Sequence, residues 1–197
     1  NSVVIMKTIN LGNQNTIFSH FISEIRDINI QNDSMRFRRN IERIGEVFAY
    51  EISKEIEYEA KDIITPLGIS TESLMTEKPV LATILRAGLP FHQGFLNYFD
   101  NSNRAFISAY RKHKKGGEFE IKIEYMSSPD LNGKTLILCD PMIASGASMI
   151  MAMQAILSKG IYMFYVIRRN VHHISRVRKA ILHAKQDMLM HTYTKSK

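Results

Sequence analysis

A single cysteine, Cys139, excludes an internal disulfide. It sits inside an apolar run, Thr135 to Cys139, and so reads as a buried thiol; no redox role is expected. Long hydrophobic runs are missing too. Val80 to Leu85 and Thr135 to Cys139 fall far short of the roughly 20 apolar residues that a membrane-spanning helix needs. Asn1 to Lys7 lacks the layout of a signal peptide, and no internal repeat is visible. A soluble cytoplasmic protein with no membrane partner is the expectation. What the chain does have is core material: 197 residues, 45% of them hydrophobic, suit one domain or one domain with an appendage.

An even spread of charge is also lacking. The net charge is +7, yet residues 168–197 hold eight of the 26 bases and one of the 19 acids, leaving the rest neutral with 18 of each. Four of the seven histidines, His172, His173, His183 and His191, share that segment. The composition divides the chain into a body, residues 1–167, and an atypical basic tail, residues 168–197. No paired cysteine spacing accompanies the tail histidines, and little aromatic character is interleaved with its bases, so neither a metal site nor a specific nucleic-acid partner is expected there. In the body, Arg36, Arg38 and Arg39 share a helix with Glu42, Glu46 and Glu51, which makes a salt-bridged solvent face the expected use of those arginines.

Helical spacing recurs at Ile17, Phe18, Phe21, Ile22 and Ile25, after a cap expected at Asn15 or Thr16. It recurs again from about Met35 to Ile56, where Phe37, Ile41, Ile44, Phe48 and Ile52 form one apolar stripe that begins near Asp33 or Ser34. Beyond Pro66 and Gly68 short apolar runs take over. Val80 to Leu85, Ala105 to Tyr110, Phe119 to Tyr125 and Thr135 to Cys139 read as strands, with helices over Leu89 to Phe99 and Met149 to Leu157, the second ending near Gly160. Alternating strands and helices predict an α/β fold with a largely parallel central sheet flanked by helices. The stretch 110–125, with Lys112, Lys114, Lys115, Gly116 and Gly117 between two β-prone runs, predicts a projecting β-flap.

The sharpest chemistry lies in Leu136 to Ser148. A buried strand delivers Asp140 to its carboxyl end, where ligands of open α/β sheets gather. Pro141, Met142 and Ile143 lead into Ala144, Ser145, Gly146, Ala147 and Ser148, whose small side chains let backbone amides close around an anion at the start of a helix. No Gly-Lys-Ser/Thr follows, so this is not a Walker A loop, and the glycine pattern is wrong for a dinucleotide fingerprint.

Asp140 to Ser148, read as DPMIASGAS, resembles the phosphoribosyl diphosphate loop DPMLATGGS of uracil phosphoribosyltransferases. Leu85 to Leu89 resembles the LRAGL loop of that family, and Tyr110-Arg111 the YR that opens its flap. Phe37-Arg38 and Ala49-Tyr50-Glu51 are similar to its FR and AYE helix, so the resemblance runs from about Glu24 to Gly160. It implies a type I phosphoribosyltransferase fold and transfer of phosphoribosyl from phosphoribosyl diphosphate to uracil, giving UMP in pyrimidine salvage. It implies Arg86 and Asp140 as catalytic residues. Arg86, Arg111 and Asp140 to Ser148 would bind phosphoribosyl diphosphate: arginines meet the diphosphate with forked donors, and Asp140 accepts from the ribose hydroxyls. Magnesium would be carried mainly by the substrate's diphosphate, without a protein metal cage. A homo-oligomer is implied as well.

Three departures accompany the resemblance, two at single positions and one over a whole segment. Ser145 stands for the usual threonine and keeps its hydroxyl; Ala147 stands for glycine and adds a methyl to the cradle. The family's uracil-reading ending, GYIVPGLGDAGDR, has no recognisable counterpart in residues 161–197, so no uracil-binding residue is assigned. Ile174, Val177, Ile181, Ala184 and Met188 allow a basic amphipathic helix there, in a replaced or out-of-frame ending with a poorly packed end. The alternative function is accordingly a catalytically impaired protein that binds phosphoribosyl diphosphate without turning over uracil.

Overall fold

Two short apolar runs, Val80–Leu85 and Thr135–Cys139, lie side by side and parallel within one sheet, with Thr83 opposite Cys139. The computed structural model describes residues 6–113, 119–141, 147–157, 163–167 and 189–194. In chain order its elements are β1 (Met6–Asn10), α1 (Phe18–Glu24), α2 (Ser34–Ser53), β2 (Tyr58–Thr65), β3 (Gly68–Met75), β4 (Val80–Leu85), α3 (Leu89–Leu96), β5 (Arg104–His113), β6 (Phe119–Ser127), β7 (Thr135–Cys139), α4 (Ala147–Leu157), β8 (Met163–Ile167) and β9 (Leu189–Thr194). Seven strands form one sheet in the order β1-β9-β8-β7-β4-β5-β6. Every pairing in it is parallel except β5 with β6, which forms the expected hairpin and extends it at both ends. The fold is therefore α/β with a largely parallel sheet flanked by helices.

Burial on both faces explains why β4 and β7 read as continuous apolar runs. Alternate side chains go to opposite sides of the sheet. Val80, Ala82, Ile84, Leu136 and Leu138 join Met149, Ala152, Met153 and Ile156 of α4 in one core. Leu81, Ile137 and Cys139 join the helices α1, α2 and α3 in the other. Each large apolar side chain removed from water there contributes about 1.5–3 kcal/mol.

The α2 stripe is buried as the spacing predicts: Ile41, Ile44, Phe48 and Ile52 face the core, with Phe37 half-buried against it. Asp33 caps this helix, its carboxylate accepting from the Arg36 amide at 2.9 Å. Phe18, Phe48, Phe91 and Phe95 form an edge-to-face ladder through α1, α2 and α3, with centroids 5.8, 5.7 and 5.4 Å apart. Of the α2 arginines, Arg39 pairs within the helix with Glu42 at 2.7 Å, while Arg36 reaches Glu24 of α1 at 3.3 Å.

Several expectations change. The first helix starts after Ile17, with no side-chain cap from Asn15 or Thr16. α3 stops at Leu96, not Phe99. β2 and β3 form a separate antiparallel hairpin where the sequence showed only a break at Pro66 and Gly68. Within the basic tail, Leu189–Thr194 is a strand of the main sheet, hydrogen-bonded between β8 and β1, which the sequence reading did not expect. The helix expected from Ile174 to Met188, and Gly160, lie outside the described residues.

Candidate active site

The carboxyl ends of β4 and β7 carry the two loops that the sequence singles out. After β4 the chain turns sharply: the Gly88 amide donates to the Ile84 carbonyl at 3.2 Å and the Leu89 amide to the Arg86 carbonyl at 3.2 Å, and α3 starts at once. The Leu85–Arg86 peptide is cis. Arg86 is exposed at the apex of this turn while Gly88 is buried beneath it. No side chain fits at position 88. A Cβ there would stand 2.1 Å from Oγ1 of Thr83, 2.7 Å from the Ile84 carbonyl oxygen and 3.2 Å from the Cys139 carbonyl oxygen.

Asp140 follows the last residue of β7 and is 8% exposed; Pro141 beside it is buried. The path from Met142 to Gly146, with Ile143, Ala144 and Ser145, lies outside the described residues. The chain is described again at Ala147, where α4 begins, and Ser148 is half-buried in its first turn. A buried strand, an acid at its end and a helix start thus occur in the predicted order.

β5 lies on the other side of β4, with Ser108 opposite Leu85. Tyr110 and Arg111 sit on the part of β5 that continues past the end of β4, with Arg111 opposite Ile121 of β6. Lys112 is on the same strand; Lys114 and Lys115 lie outside the described residues. Arg86, Asp140 and Arg111 therefore occupy the loops or extensions of three adjacent strands at one edge of the sheet.

The electrostatics separate the polar groups into two kinds. Cys139 is fully buried, and burial first, then the negative charge of Asp140, holds its thiol well above the ordinary range, so it stays protonated and is no nucleophile. His92, one turn into α3, packs against Phe106 of β5 at 5.6 Å between ring centroids. Burial, and secondarily the charge of Arg104, pushes its pKa down to about 4. It is a neutral ring under the site.

What sequence reasoning missed is Thr83. Its hydroxyl donates to the Cys139 carbonyl at 3.3 Å in a buried environment. A threonine in an apolar strand carries no signal by itself; only the pairing of β4 with β7 gives it a partner.

A family model described as uracil phosphoribosyltransferase matches residues 13–190. The chain belongs to the uracil phosphoribosyltransferase family. The uracil phosphoribosyltransferase of Porphyromonas gingivalis is 56% identical over 155 residues, which are 79% of this chain and 72% of that protein. That of Sulfolobus acidocaldarius is 34% identical over 163 residues, covering 77% of this chain and 74% of its own. Among solved structures, the AQ2163 protein from Aquifex aeolicus superposes with a TM-score of 0.79 at 23% identity, over 96% of this chain and 88% of that one, and so shares the fold. The family match reaches residue 190, through most of the basic segment in which the GYIVPGLGDAGDR pattern was not recognisable. Membership in the family makes the chain a member of the pentosyltransferases.

Proposed function

We propose that the chain transfers the phosphoribosyl group from phosphoribosyl diphosphate to N1 of uracil, giving UMP and diphosphate in cytoplasmic pyrimidine salvage. The observation that carries this reading is the adjacency of two loops: the Arg86 turn after β4 and the Asp140 loop after β7 stand at the carboxyl ends of neighbouring parallel strands. Phosphoribosyl diphosphate has a diphosphate at one position of the ribose and hydroxyls next to it, and two adjacent loops, one cationic and one acidic, suit those two parts.

In the reaction, N1 of uracil forms a bond to the anomeric carbon as the bond from that carbon to the diphosphate oxygen breaks, its electron pair leaving with diphosphate and the N1 proton passing to a base or water. Negative charge grows on the leaving group. Arg86 and Arg111 meet it with fixed positive charge, Asp140 holds the ribose hydroxyls, and the amides of Ala144 to Ser148 receive the 5-phosphate. At the strand ends the described residues supply the carboxylate Asp140, and no group of three or more His, Cys, Asp or Glu lies together among them. That donor set fits magnesium held chiefly by substrate oxygens and water, where it would add charge neutralisation to the leaving diphosphate.

Arg86→Ala is expected to lower kcat about 100-fold, the usual cost of removing one donor to developing negative charge. Asp140→Asn is expected to weaken binding of phosphoribosyl diphosphate in calorimetry about tenfold, the equivalent of one charge-assisted hydrogen bond. A wild-type kcat in the first variant together with wild-type affinity in the second would overturn the site assignment. The second reading, a protein that binds phosphoribosyl diphosphate without turning over uracil, is favoured by the basic composition of residues 168–197 in place of the glycine-rich uracil segment. A UMP assay beside the calorimetry separates the two: binding with no product supports the second.

A homo-oligomer is part of the same proposal, supported by the exposed apolar residues of the β2–β3 hairpin. Ile64 is 93% exposed and Leu67 100%. No helix among the described residues is long and apolar enough to cross a membrane.

A further inference from the structure

We propose that Thr83 is a positioning residue that sets the spacing of the two substrate loops, acting through one buried hydroxyl. The inference rests on the proposed function of the site and adds a residue to it. Thr83 is fully buried, two residues before the end of β4, and its hydroxyl sits where three pieces of backbone converge. It donates to the carbonyl of Cys139, the residue immediately before Asp140, at 3.3 Å. It also underlies Gly88, so closely that a Cβ on the glycine would come within 2.1 Å of Oγ1. The same imagined Cβ would meet the Cys139 carbonyl oxygen at 3.2 Å. The Arg86 turn therefore rests on the Thr83 hydroxyl, and the Asp140 peptide is tied to it.

The consequence is specific to ligands that span the two loops. Ladder pairing of β4 with β7 ends at Thr83 and Cys139, so beyond that point no strand pairing between these two fixes the separation of Arg86 from Asp140. The hydroxyl bridges the last paired residues by a side chain to backbone hydrogen bond. Without it the two loops keep their own internal turns but gain freedom relative to each other. A ligand that touches only the Arg86 turn is indifferent to that freedom; one that needs both loops must restrict it on binding.

The test compares Thr83→Val and Thr83→Ala, which remove the hydroxyl with and without refilling its space, to Thr83→Ser, which keeps it. Calorimetry of the full chain is run with phosphoribosyl diphosphate and with inorganic diphosphate. In Thr83→Val and Thr83→Ala the affinity for phosphoribosyl diphosphate is expected to fall about tenfold, while that for diphosphate stays within about twofold; Thr83→Ser restores the first. Should Thr83→Val not fold, the Ala and Ser pair carries the comparison. Equal losses for both ligands, no loss for either, or a ranking that follows side-chain volume instead of the hydroxyl would overturn the proposal and leave the proposed function standing. If wild-type protein bound neither ligand and formed no UMP, both would fall.

Discussion

His92 is only 3% exposed, and neither of its ring nitrogens has a hydrogen-bond partner among the described residues. A ring so placed resists protonation, because the charged form would lose its water without gaining an acceptor, and Arg104 adds like charge. In the unfolded chain the same ring titrates at its ordinary value near 6.5. Between about pH 6.5 and 4 the unfolded state therefore binds a proton that the folded state refuses. The stability tied to His92 is complete above the unfolded value, falls as pH drops through that window and levels off below the folded value. Its full span is about 3 kcal/mol. His92→Leu keeps the volume and removes the titration. Urea unfolding at pH 7 and pH 4.5 should show the wild type losing about 2 kcal/mol more than the variant, and an equal loss in both would remove His92 as the cause.

α2 and α3 cross where each presents a glycine, and this contact sets the height of the Arg86 turn, since α3 begins one residue after Gly88. A Cβ on Gly94 would stand 2.0 Å from the Glu42 carbonyl oxygen and 2.8 Å from the Glu46 amide nitrogen; one on Gly45 would stand 2.4 Å from the Phe91 carbonyl oxygen. These are backbone atoms, so no rotamer change relieves them. Gly94→Ala must push the helices apart along the phenylalanine ladder, at about 3 kcal/mol or a loss of about 6–12 °C in Tm. A melt within 2 °C of wild type would show that the crossing yields more easily than its geometry implies. This crossing also marks the boundary of what the sequence made legible. The α2 stripe, β4 and β7 were readable because burial imposes apolar periodicity, and their bounds were close. β2 and β3 were not, because their residues are mostly exposed and the solvent asks for no pattern. β9 was hidden in a segment whose charge dominated its reading, although Thr192, Tyr193 and Thr194 are good strand formers. At the site, the loop order could be read from Asp140 and Arg86, whereas the Thr83–Cys139 bridge joins residues 56 apart and needs the sheet order first.

At the scale of the whole molecule, the seven-stranded sheet and the β2–β3 hairpin make opposite demands on solvent. Helices cover both faces of the sheet at β4 and β7, and strand β9 of the basic tail pairs with β1 on one side and β8 on the other. The hairpin is a separate two-stranded unit with Ile64 opposite Ile69 and with Leu67 in its turn. Isolated two-stranded hairpins are marginal in water, and this one leaves Ile64, Leu67 and Ile69 at 93%, 100% and 74% exposure. A second copy of the chain is the occupant that the proposed homo-oligomer supplies. Ile64→Lys together with Leu67→Glu places charges on that surface without touching either core, so the main domain should keep its melting temperature. Light scattering after gel filtration is expected to show wild-type chain at a multiple of its 22.7 kDa mass and the double variant at a single one. A monomeric wild type, or a variant of unchanged mass, would mean that the hairpin is not where copies meet, and the homo-oligomer would lose its structural support.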